Sequence, residues 1–307
     1  MLLYSLVKRY GHRLFTVLIF FIALWTCINI AEAREGSVTT KKHFLWSVQS
    51  EGNTIYLLGS IHILRKDSYP LPEAVERVYD CCQKVVFETD LEGMHAPDVQ
   101  MKMMQMGLYS SGETLTQNIS RQTYELLKEK MDKTGLPIVQ FEQVKPWLIA
   151  QTIVSSELIR LGFDPSLGID TYFFNKARND NKETLSLETN DYQINIFAGL
   201  STRQQEILLR QTLKELEVIE DNFTDMIDAW ENGNVSKLAS IMEKSFEGYP
   251  DLYRRFVTER NKKWIKNIQR MMMKGDNVLI IVGAAHLAGK DSVIELLKDE
   301  GYTVTQQ

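Results

Sequence analysis

Cysteine is scarce in this sequence, with three residues among 307. Cys27 lies in an apolar N-terminal leader, so the rest of the chain contains the adjacent pair Cys81 and Cys82. Neighbouring residues rarely meet disulfide geometry, and two thiols cannot build a framework of cross-links. The fold must therefore be stabilised by its core, which a composition of 44% hydrophobic and 24% charged residues can supply.

The chain also lacks a long basic block, and its formal net charge is -5. Removing the leader takes away three basic residues and one acidic residue, which makes the remainder more acidic. This charge balance argues against nucleic acid as a partner, because phosphate binding needs clustered lysine and arginine. After the leader, no apolar segment is long enough to span a bilayer.

Several common catalytic motifs are missing. The sequence has no GxSxG elbow, no P-loop, no HExxH and no dinucleotide fingerprint. A serine hydrolase, an ATPase and a zincin are therefore disfavoured. There is also no internal repeat, so residues 34–307 are predicted to form one domain.

The N-terminus has the features of a secretory signal peptide. Lys8, Arg9 and Arg13 form a basic region, followed by an apolar run and the small-residue pattern AEA at 31–33. These features predict cleavage after residues 1–33 and a secreted or periplasmic protein. The alternative is an uncleaved membrane anchor, since the apolar run is long for a signal peptide.

Short runs rich in β-branched and aromatic residues predict strands at 43–49, 54–60, 84–90, 183–189, 277–286 and 302–306. The first two are joined by a hairpin turn, and the second and third flank a helical pattern, which predicts a right-handed βαβ unit. Helical periodicity fills two long stretches, about 94–180 and 190–275. The predicted fold class is α/β: a central, mostly parallel sheet with helices on its faces and a large helical insertion.

Two predicted strands end in the same pattern. LLGSIH ends at His62 and VGAAH at His286, each three residues after a glycine. Ligands of open α/β sheets bind beyond the carboxyl ends of strands, and glycine there permits a sharp turn and a close approach. A single strand-end histidine is commonly structural, but two in matching contexts indicate a functional site.

Carboxylates follow two further predicted strands. VVFETD places Glu88 and Asp90 on one strand face, and LSLET places Glu188 in a similar position. Two imidazoles and a carboxylate suffice for a catalytic metal, and a second carboxylate can be a ligand or a general base. The alternative is that a strand-end acid caps the following helix.

A helical motif, TERNKKW, contains Glu259, Arg260 and Asn261. The simplest interpretation is a solvated helix face. The functional alternative is that Arg260 binds a substrate carboxylate or stabilises negative charge in the transition state. Methionine clusters at 101–106 and 271–273 are interpreted as flexible packing rather than copper ligands.

In chain order, the motifs LLGSIH, VVFETD, KPW, GIDTYF, LETNDYQ, ERNKKW and VGAAHLAG resemble those of the TraB/GumN family over about residues 43–305. This family includes the TIKI and pheromone-shutdown proteins. The second histidine motif reads GAAH where many members have GAGH. The resemblance implies a fold related to the erythromycin-esterase and ChaN-like group and, through TIKI, a protease dependent on manganese or cobalt.

Matched motif by motif, the resemblance implies a metal centre of His62, Glu88 and His286, with which zinc is also compatible. The implied catalytic residues are Glu88, Glu188, Arg260 and Asn261. The leading hypothesis is a metal-dependent hydrolase that cleaves peptide or protein substrates, with one of the two glutamates as general base.

The alternative function is a non-catalytic binding protein that sequesters a peptide or haem. Haem would need an axial histidine or tyrosine in an apolar slot. The methionine-rich helical region could equally hold a peptide without cutting it.

Overall fold

The structure, a computed structural model, describes residues 41–50, 52–134 and 137–307, so the predicted signal peptide at 1–33 lies outside it. Within these ranges the chain forms six strands: β1 (Leu45–Gln49), β2 (Thr54–Ser60), β3 (Lys84–Phe87), β4 (Glu183–Ser186), β5 (Val278–Gly283) and β6 (Val304–Gln306). They form one sheet in the order β4-β3-β5-β2-β1-β6. The predicted α/β class with a mostly parallel sheet is confirmed.

The parallel part of the sheet consists of β2, β5, β3 and β4, whereas β1 pairs antiparallel with both β2 and β6. β5 is apolar and buried along its whole length, as expected of a central strand covered on both faces. Ser60 at the end of β2 pairs with Gly283 at the end of β5. The four parallel strands therefore end at one common edge of the sheet.

The predicted βαβ unit has a further strand between its two parallel strands. β2 and β3 run parallel and are connected through a helix, α1 (Glu73–Cys81), but β5 lies between them. β5 is buried on both faces and so takes the central position, which leaves β3 one place further out.

β3 and β4 each end three residues earlier than predicted. A hydrogen bond of 2.9 Å from the Glu188 N–H to the Glu88 carbonyl continues the pairing briefly. The chain then leaves the sheet because Asp90 and Thr189 each cap a helix, accepting a backbone N–H through the side-chain oxygen.

Helices cover most of the remaining described chain. After α1 they are α2 (Leu91–Met94), α3 (Pro97–Gly107), α4 (Leu115–Asn118), α5 (Arg121–Thr134), α6 (Pro146–Arg160), α7 (Ile169–Asn179), α8 (Asn190–Ala198), α9 (Thr202–Glu215), α10 (Ile219–Glu231), α11 (Val235–Ser245), α12 (Pro250–Tyr253), α13 (Glu259–Met272) and α14 (Val293–Asp299). No helix within the described residues is both long and apolar enough to cross a membrane.

The helix predicted over 250–275 is one continuous run with a change of winding in its middle. Residues Arg254–Thr258 are π-helical and join α12 to α13. A π-turn adds one residue to the helical register, and such turns are frequent next to functional residues. Here the π-turn directly precedes the ERN motif at the start of α13.

The start of α7 fixes the loop that follows β2. The Ile169 N–H donates to the Ile61 carbonyl at 3.0 Å. Gly168 lies directly against the backbone of His62, and a Cβ at this glycine would collide with the His62 carbonyl. The loop with His62 is therefore held by a segment that follows it by more than a hundred residues.

This packing predicts the effect of a methyl group at Gly168. The backbone at this residue, φ -60° and ψ 145°, is open to any amino acid, so only the lack of space opposes Gly168→Ala. Forcing a methyl into a packed backbone contact should lower the free energy of unfolding by about 1–3 kcal/mol. Urea unfolding measures the difference.

The matched control is Gly52→Ala in the β1–β2 turn, where a Cβ has no heavy atom within 4 Å. It should change the unfolding free energy by less than about 0.5 kcal/mol. Equal stability of the two variants would contradict the packing described for Gly168.

Candidate functional site

The common edge of the parallel strands carries the predicted site residues. His62 follows β2, Glu88 follows β3, Glu188 follows β4, and His286 follows β5. Parallel pairing brings the ends of these strands together even though the residues span more than two hundred positions. The interpretation that both GxxH motifs and both glutamates face one region is thus consistent with the sheet.

Gly283 lies where these groups meet. A Cβ on Gly283 would lie 3.2 Å from both His62 Nε2 and Glu88 Oε1, and 3.7 Å from His286 Cδ2. The absence of a side chain at this strand end therefore gives two imidazoles and a carboxylate access to the same space. The Gly283 N–H also donates to Glu88 Oε1 at 2.7 Å, which fixes the carboxylate.

Arg260 lies at the centre of the buried part of the site and is only 4% exposed. Its Nη2 donates to Glu88 Oε2 and to Glu188 Oε1 at 2.5 Å each. Gln193 Nε2 donates to the same two carboxylates at 3.1 Å and 3.0 Å. A guanidinium shared in this way offsets the cost of burying two negative charges.

The charge of Arg260 determines the ionisation of Glu88. Burial alone would raise the pKa of the Glu88 carboxyl, but the Arg260 guanidinium and the Gly283 N–H together hold it well below its ordinary range. Glu88 is therefore ionised at neutral pH despite being 4% exposed.

His286 is held between two residues of α13. One ring nitrogen, Nδ1, lies 2.6 Å from Asn261 Oδ1, and the other, Nε2, lies 2.9 Å from Arg260 Nη1. Arginine can only donate, so Nε2 accepts and Nδ1 bears the proton. Burial and the neighbouring Arg260 charge lower the pKa of His286 to about 3, so the ring is neutral at pH 7.

His62 is in the opposite electrostatic environment. Its Nδ1 lies 2.5 Å from Asp170 Oδ2, and Ser60 Oγ donates to the other Asp170 oxygen at 3.0 Å. Burial would lower the pKa of His62, but the charge and hydrogen bond of Asp170 outweigh it and raise the pKa. This pairing directs Nε2 towards Gly283.

Trp264 completes the wall behind these residues. Its Nε1 donates to Glu188 Oε2 at 3.1 Å, and its ring centroid lies 4.5 Å from that of His286. The Arg260 guanidinium carbon lies 4.8 Å from the centre of the indole ring. The indole thus supports a carboxylate, an imidazole and a guanidinium at once.

The structure separates the residues of two predicted motifs. Arg260 and Asn261 are buried, so the interpretation of this helix face as solvated is wrong for them and fits Glu259, which is exposed. Asp90 does not join Glu88, because it is exposed and accepts the Gly93 N–H at 3.0 Å as a helix cap.

Three site residues were not identified from the sequence: Asp170, Gln193 and Trp264. Each lies inside a motif that carried the family resemblance, GIDTYF, LETNDYQ and ERNKKW respectively. Trp264 follows Arg260 by four residues, the spacing of one helix face, which is a signal that could have linked them. Nothing in the local sequence places Asp170 beside His62.

The sequence predicted a metal centre of His62, Glu88 and His286. His286 Nε2 and Glu88 Oε1 are 3.8 Å apart, and His286 Nε2 also accepts from Arg260. In the part of the chain that the structure describes, no group of three or more His, Cys, Asp or Glu side chains forms a metal-binding cluster as it stands.

A small cleft opens at the sheet edge. It is lined by His62, Phe87, Glu88, Thr89, Leu91, Asp170 and Thr171. Arg260, Glu188 and His286 lie behind this lining in the buried cluster. A molecule in the cleft would therefore meet His62 and Glu88 first.

These features define an α/β protein with a buried histidine–glutamate–arginine cluster at the carboxyl edge of its sheet. The family model for the TraB/PrgY/gumN family matches residues 44–306, which include all the strand-end residues described above. The chain belongs to the TraB/PrgY/gumN family.

Two kinds of relative illustrate the family. The chain is 24% identical over 260 residues to the uncharacterized protein YbaP of Escherichia coli, covering 83% of this chain and 94% of YbaP. It is 25% identical over 317 residues to metalloprotease TIKI2 of Danio rerio, covering 85% of this chain and 60% of TIKI2. No solved structure matches the chain.

The buried cluster predicts a large effect of removing Arg260. Arg260→Ala leaves Glu88 and Glu188 buried without a cation and should lower the free energy of unfolding by about 3–5 kcal/mol at neutral pH. Urea unfolding followed by circular dichroism measures the loss. Arg270→Ala, an exposed position on the same helix, is the control and should change stability by less than about 0.5 kcal/mol.

The two histidines are predicted to titrate in opposite directions from the ordinary imidazole pKa of 6.5, His62 above it and His286 below it. Long-range ¹H–¹⁵N spectra recorded against pH should show His62 keeping its second proton to a higher pH than His286, which should be a neutral ring protonated on Nδ1 at pH 7. The stability contributed by His62 is complete below its unfolded pKa of 6.5 and is lost as the pH rises through its higher folded value. The stability contributed by neutral His286 is complete above 6.5 and is lost as the pH falls towards about 3. Identical titrations of the two rings would refute the environments described here.

Proposed function

We propose that this protein is a metal-dependent hydrolase that cleaves peptide bonds. The observation that carries the proposal is the convergence of His62 Nε2, Glu88 Oε1 and His286 around Gly283. The similarity to metalloprotease TIKI2 supports the same class of reaction. These residues lie at the carboxyl edge of a parallel sheet, where α/β proteins bind their ligands, and this position also supports the proposal.

His62 Nε2 and Glu88 Oε1 face the same space and suit a divalent cation, whereas His286 Nε2 would have to give up the hydrogen bond from Arg260 to join them. Glu88, Glu188 and Asp170 supply three buried carboxylates against the one guanidinium of Arg260, which leaves an excess of negative charge when both imidazoles are neutral. The hydrogen bond between His62 Nδ1 and a carboxylate is the usual arrangement of a metal-binding histidine. We therefore propose His62, Glu88 and His286 as the residues that hold the ion.

Manganese or cobalt is the proposed metal, with zinc as a compatible alternative. A divalent cation bound there would polarise a substrate carbonyl and lower the pKa of a water molecule. The residues of the chain have separate tasks. Asp170 orients His62, and Asn261 fixes the tautomer of His286.

The two glutamates have separate tasks in the proposed site, Glu88 as a ligand of the ion and Glu188 as a support for Arg260. Glu88 lines the cleft and has one oxygen, Oε1, on the side of His62. Glu188 instead receives hydrogen bonds from Arg260, Trp264 and Gln193 and lies behind the cleft. We propose that Glu188 holds Arg260 in place and does not contact the reacting atoms.

Arg260 is proposed to position Glu88 rather than to bind the substrate. Its charge is shared between two carboxylates, and its side chain is 5% exposed. Because two carboxylates already balance its charge, this guanidinium would attract the terminal carboxylate of a substrate only weakly. Its role is to keep Glu88 ionised and correctly oriented.

The proposal is tested by measuring metal content and metal-dependent cleavage of a peptide library. The wild-type protein should bind manganese, cobalt or zinc stoichiometrically and cleave peptides, and the double variant His62→Ala/His286→Ala should lose both properties. His95→Ala, at an exposed histidine outside the site, is the control and should retain them. Far-UV circular dichroism checks that each variant is folded.

Full cleavage by the folded double variant would refute the assignment of these histidines. Metal binding without cleavage of any peptide would leave the metal site in place and refute the peptidase. Absence of binding for all three metals would refute the metal centre and favour the alternative of a binding protein. A Soret band on titration with haem would then identify the haem-binding form of that alternative.

A further inference from the structure

The exposed side of α13 carries a row of basic side chains, which we call the basic stripe. Its members are Lys262, Lys263, Lys266 and Arg270 on the helix and Lys274 just beyond its end, and all of them are exposed. Spacings of three and four residues place them on one face of the helix. From Lys262 to Arg270 this face extends for about 12 Å. Because other residues separate them along the chain, they form no basic block in the sequence.

The basic stripe has no counter-ions within the part of the chain that the structure describes. None of its members forms a salt bridge with a described carboxylate. The acids next to it in sequence have other partners, since Glu259 pairs with Arg254 at 3.6 Å and Asp276 pairs with Lys84 at 3.0 Å. The stripe is therefore an unbalanced positive surface on a protein whose formal net charge is -5.

Two members of the stripe donate hydrogen bonds to neutral groups of the protein. Lys263 Nζ donates to the Tyr192 hydroxyl at 3.0 Å, and Arg270 Nη1 donates to Asn267 Oδ1 at 3.1 Å. Such bonds orient the two side chains and leave their charges uncompensated. An external anion would therefore meet all five positive charges.

An apolar side chain lies among these charges. Met273 is 83% exposed, and its place two helical turns after Lys266 puts it on the exposed side of α13. The other side of the helix is buried and contains Arg260 and Trp264 of the candidate site. A partner that contacts the stripe and Met273 therefore leaves the buried cluster undisturbed.

We propose that the basic stripe and Met273 bind the surface of a bilayer that contains anionic lipids. Each basic residue near such a surface increases the affinity about fivefold. Four of the five members are lysines, whose compact hydrated charges suit attraction to many headgroups rather than two-pronged binding of one group. Met273 would enter the headgroup boundary, as apolar residues of interfacial helices do. A soluble polyanion offers no comparable environment for this side chain.

This binding is peripheral and does not depend on the reaction proposed above. It is tested by flotation of the full-length protein with vesicles of phosphatidylcholine, with and without about 30% phosphatidylglycerol. At about 0.1 M salt the protein should bind the anionic vesicles more tightly, and near 1 M salt, where the Debye length falls to about 3 Å, the difference should disappear. Equal binding to the two kinds of vesicle at low salt would overturn the proposal.

Matched variants separate the stripe from the net charge and from the N-terminal apolar segment, which all of them retain. Lys262→Gln/Lys266→Gln should weaken binding to the anionic vesicles by at least about tenfold. The control, Lys128→Gln/Lys214→Gln, removes the same charge from two exposed lysines on other helices and should bind as the wild type does. An equal loss in both double variants, or no loss in the first, would contradict the proposal.

Met273→Gln distinguishes a bilayer from a soluble polyanion. It should weaken binding to the anionic vesicles by about threefold or more, because an apolar side chain no longer leaves water. Binding to poly-L-glutamate should be weak and unchanged by this substitution. Binding to poly-L-glutamate that is tighter than binding to the vesicles and is lost in Lys262→Gln/Lys266→Gln would replace the bilayer with a soluble acidic partner.

Discussion

The site depends on one buried ion-pair arrangement, the Arg260 guanidinium between Glu88 and Glu188. It joins α13 to the ends of two parallel strands, and it keeps the Glu88 carboxylate ionised where burial would otherwise raise its pKa. Such an arrangement rarely adds net stability over an apolar one, because desolvation consumes most of the attraction. Its value here is geometric and electrostatic: it sets the orientation and charge of Glu88, next to the cleft.

The same guanidinium makes the two GxxH histidines chemically different. His286 faces Arg260 and is neutral, whereas His62 faces Asp170 and attracts a proton. Both rings have one nitrogen occupied by a side-chain oxygen, Asn261 Oδ1 in one case and Asp170 Oδ2 in the other. The two GxxH motifs thus place a neutral imidazole, His286, close to one that binds a proton more readily, His62. This combination is suited to acid–base chemistry or to metal binding.

Much of the fold follows from local patterns, since hydrophobic runs and turn residues predicted all six strands of the described chain. The position of each strand within the sheet does not follow from local patterns, because pairing between β2 and β5 depends on residues far apart in sequence. In the site, strand-end residues were found by their motifs. Asp90 was misassigned because strand periodicity was extended past Phe87, and Asp170 was missed because only tertiary packing brings α7 to the β2 loop. The burial of Arg260 was readable in principle: Trp264, Ile268 and Met272 continue its helix face at intervals of four.

The sheet order also has a consequence for the time at which the chain can become functional. β5 separates β2 from β3, so the first three strands made during synthesis cannot form the central pairing on their own. The middle of the sheet closes only after residue 283 has been made, more than two hundred residues after β2. Such long-range pairing slows folding. It also means that the histidines, the glutamates and the arginine meet only after β5 has been made, so a chain that stops before β5 would contain most of the site residues and none of the site.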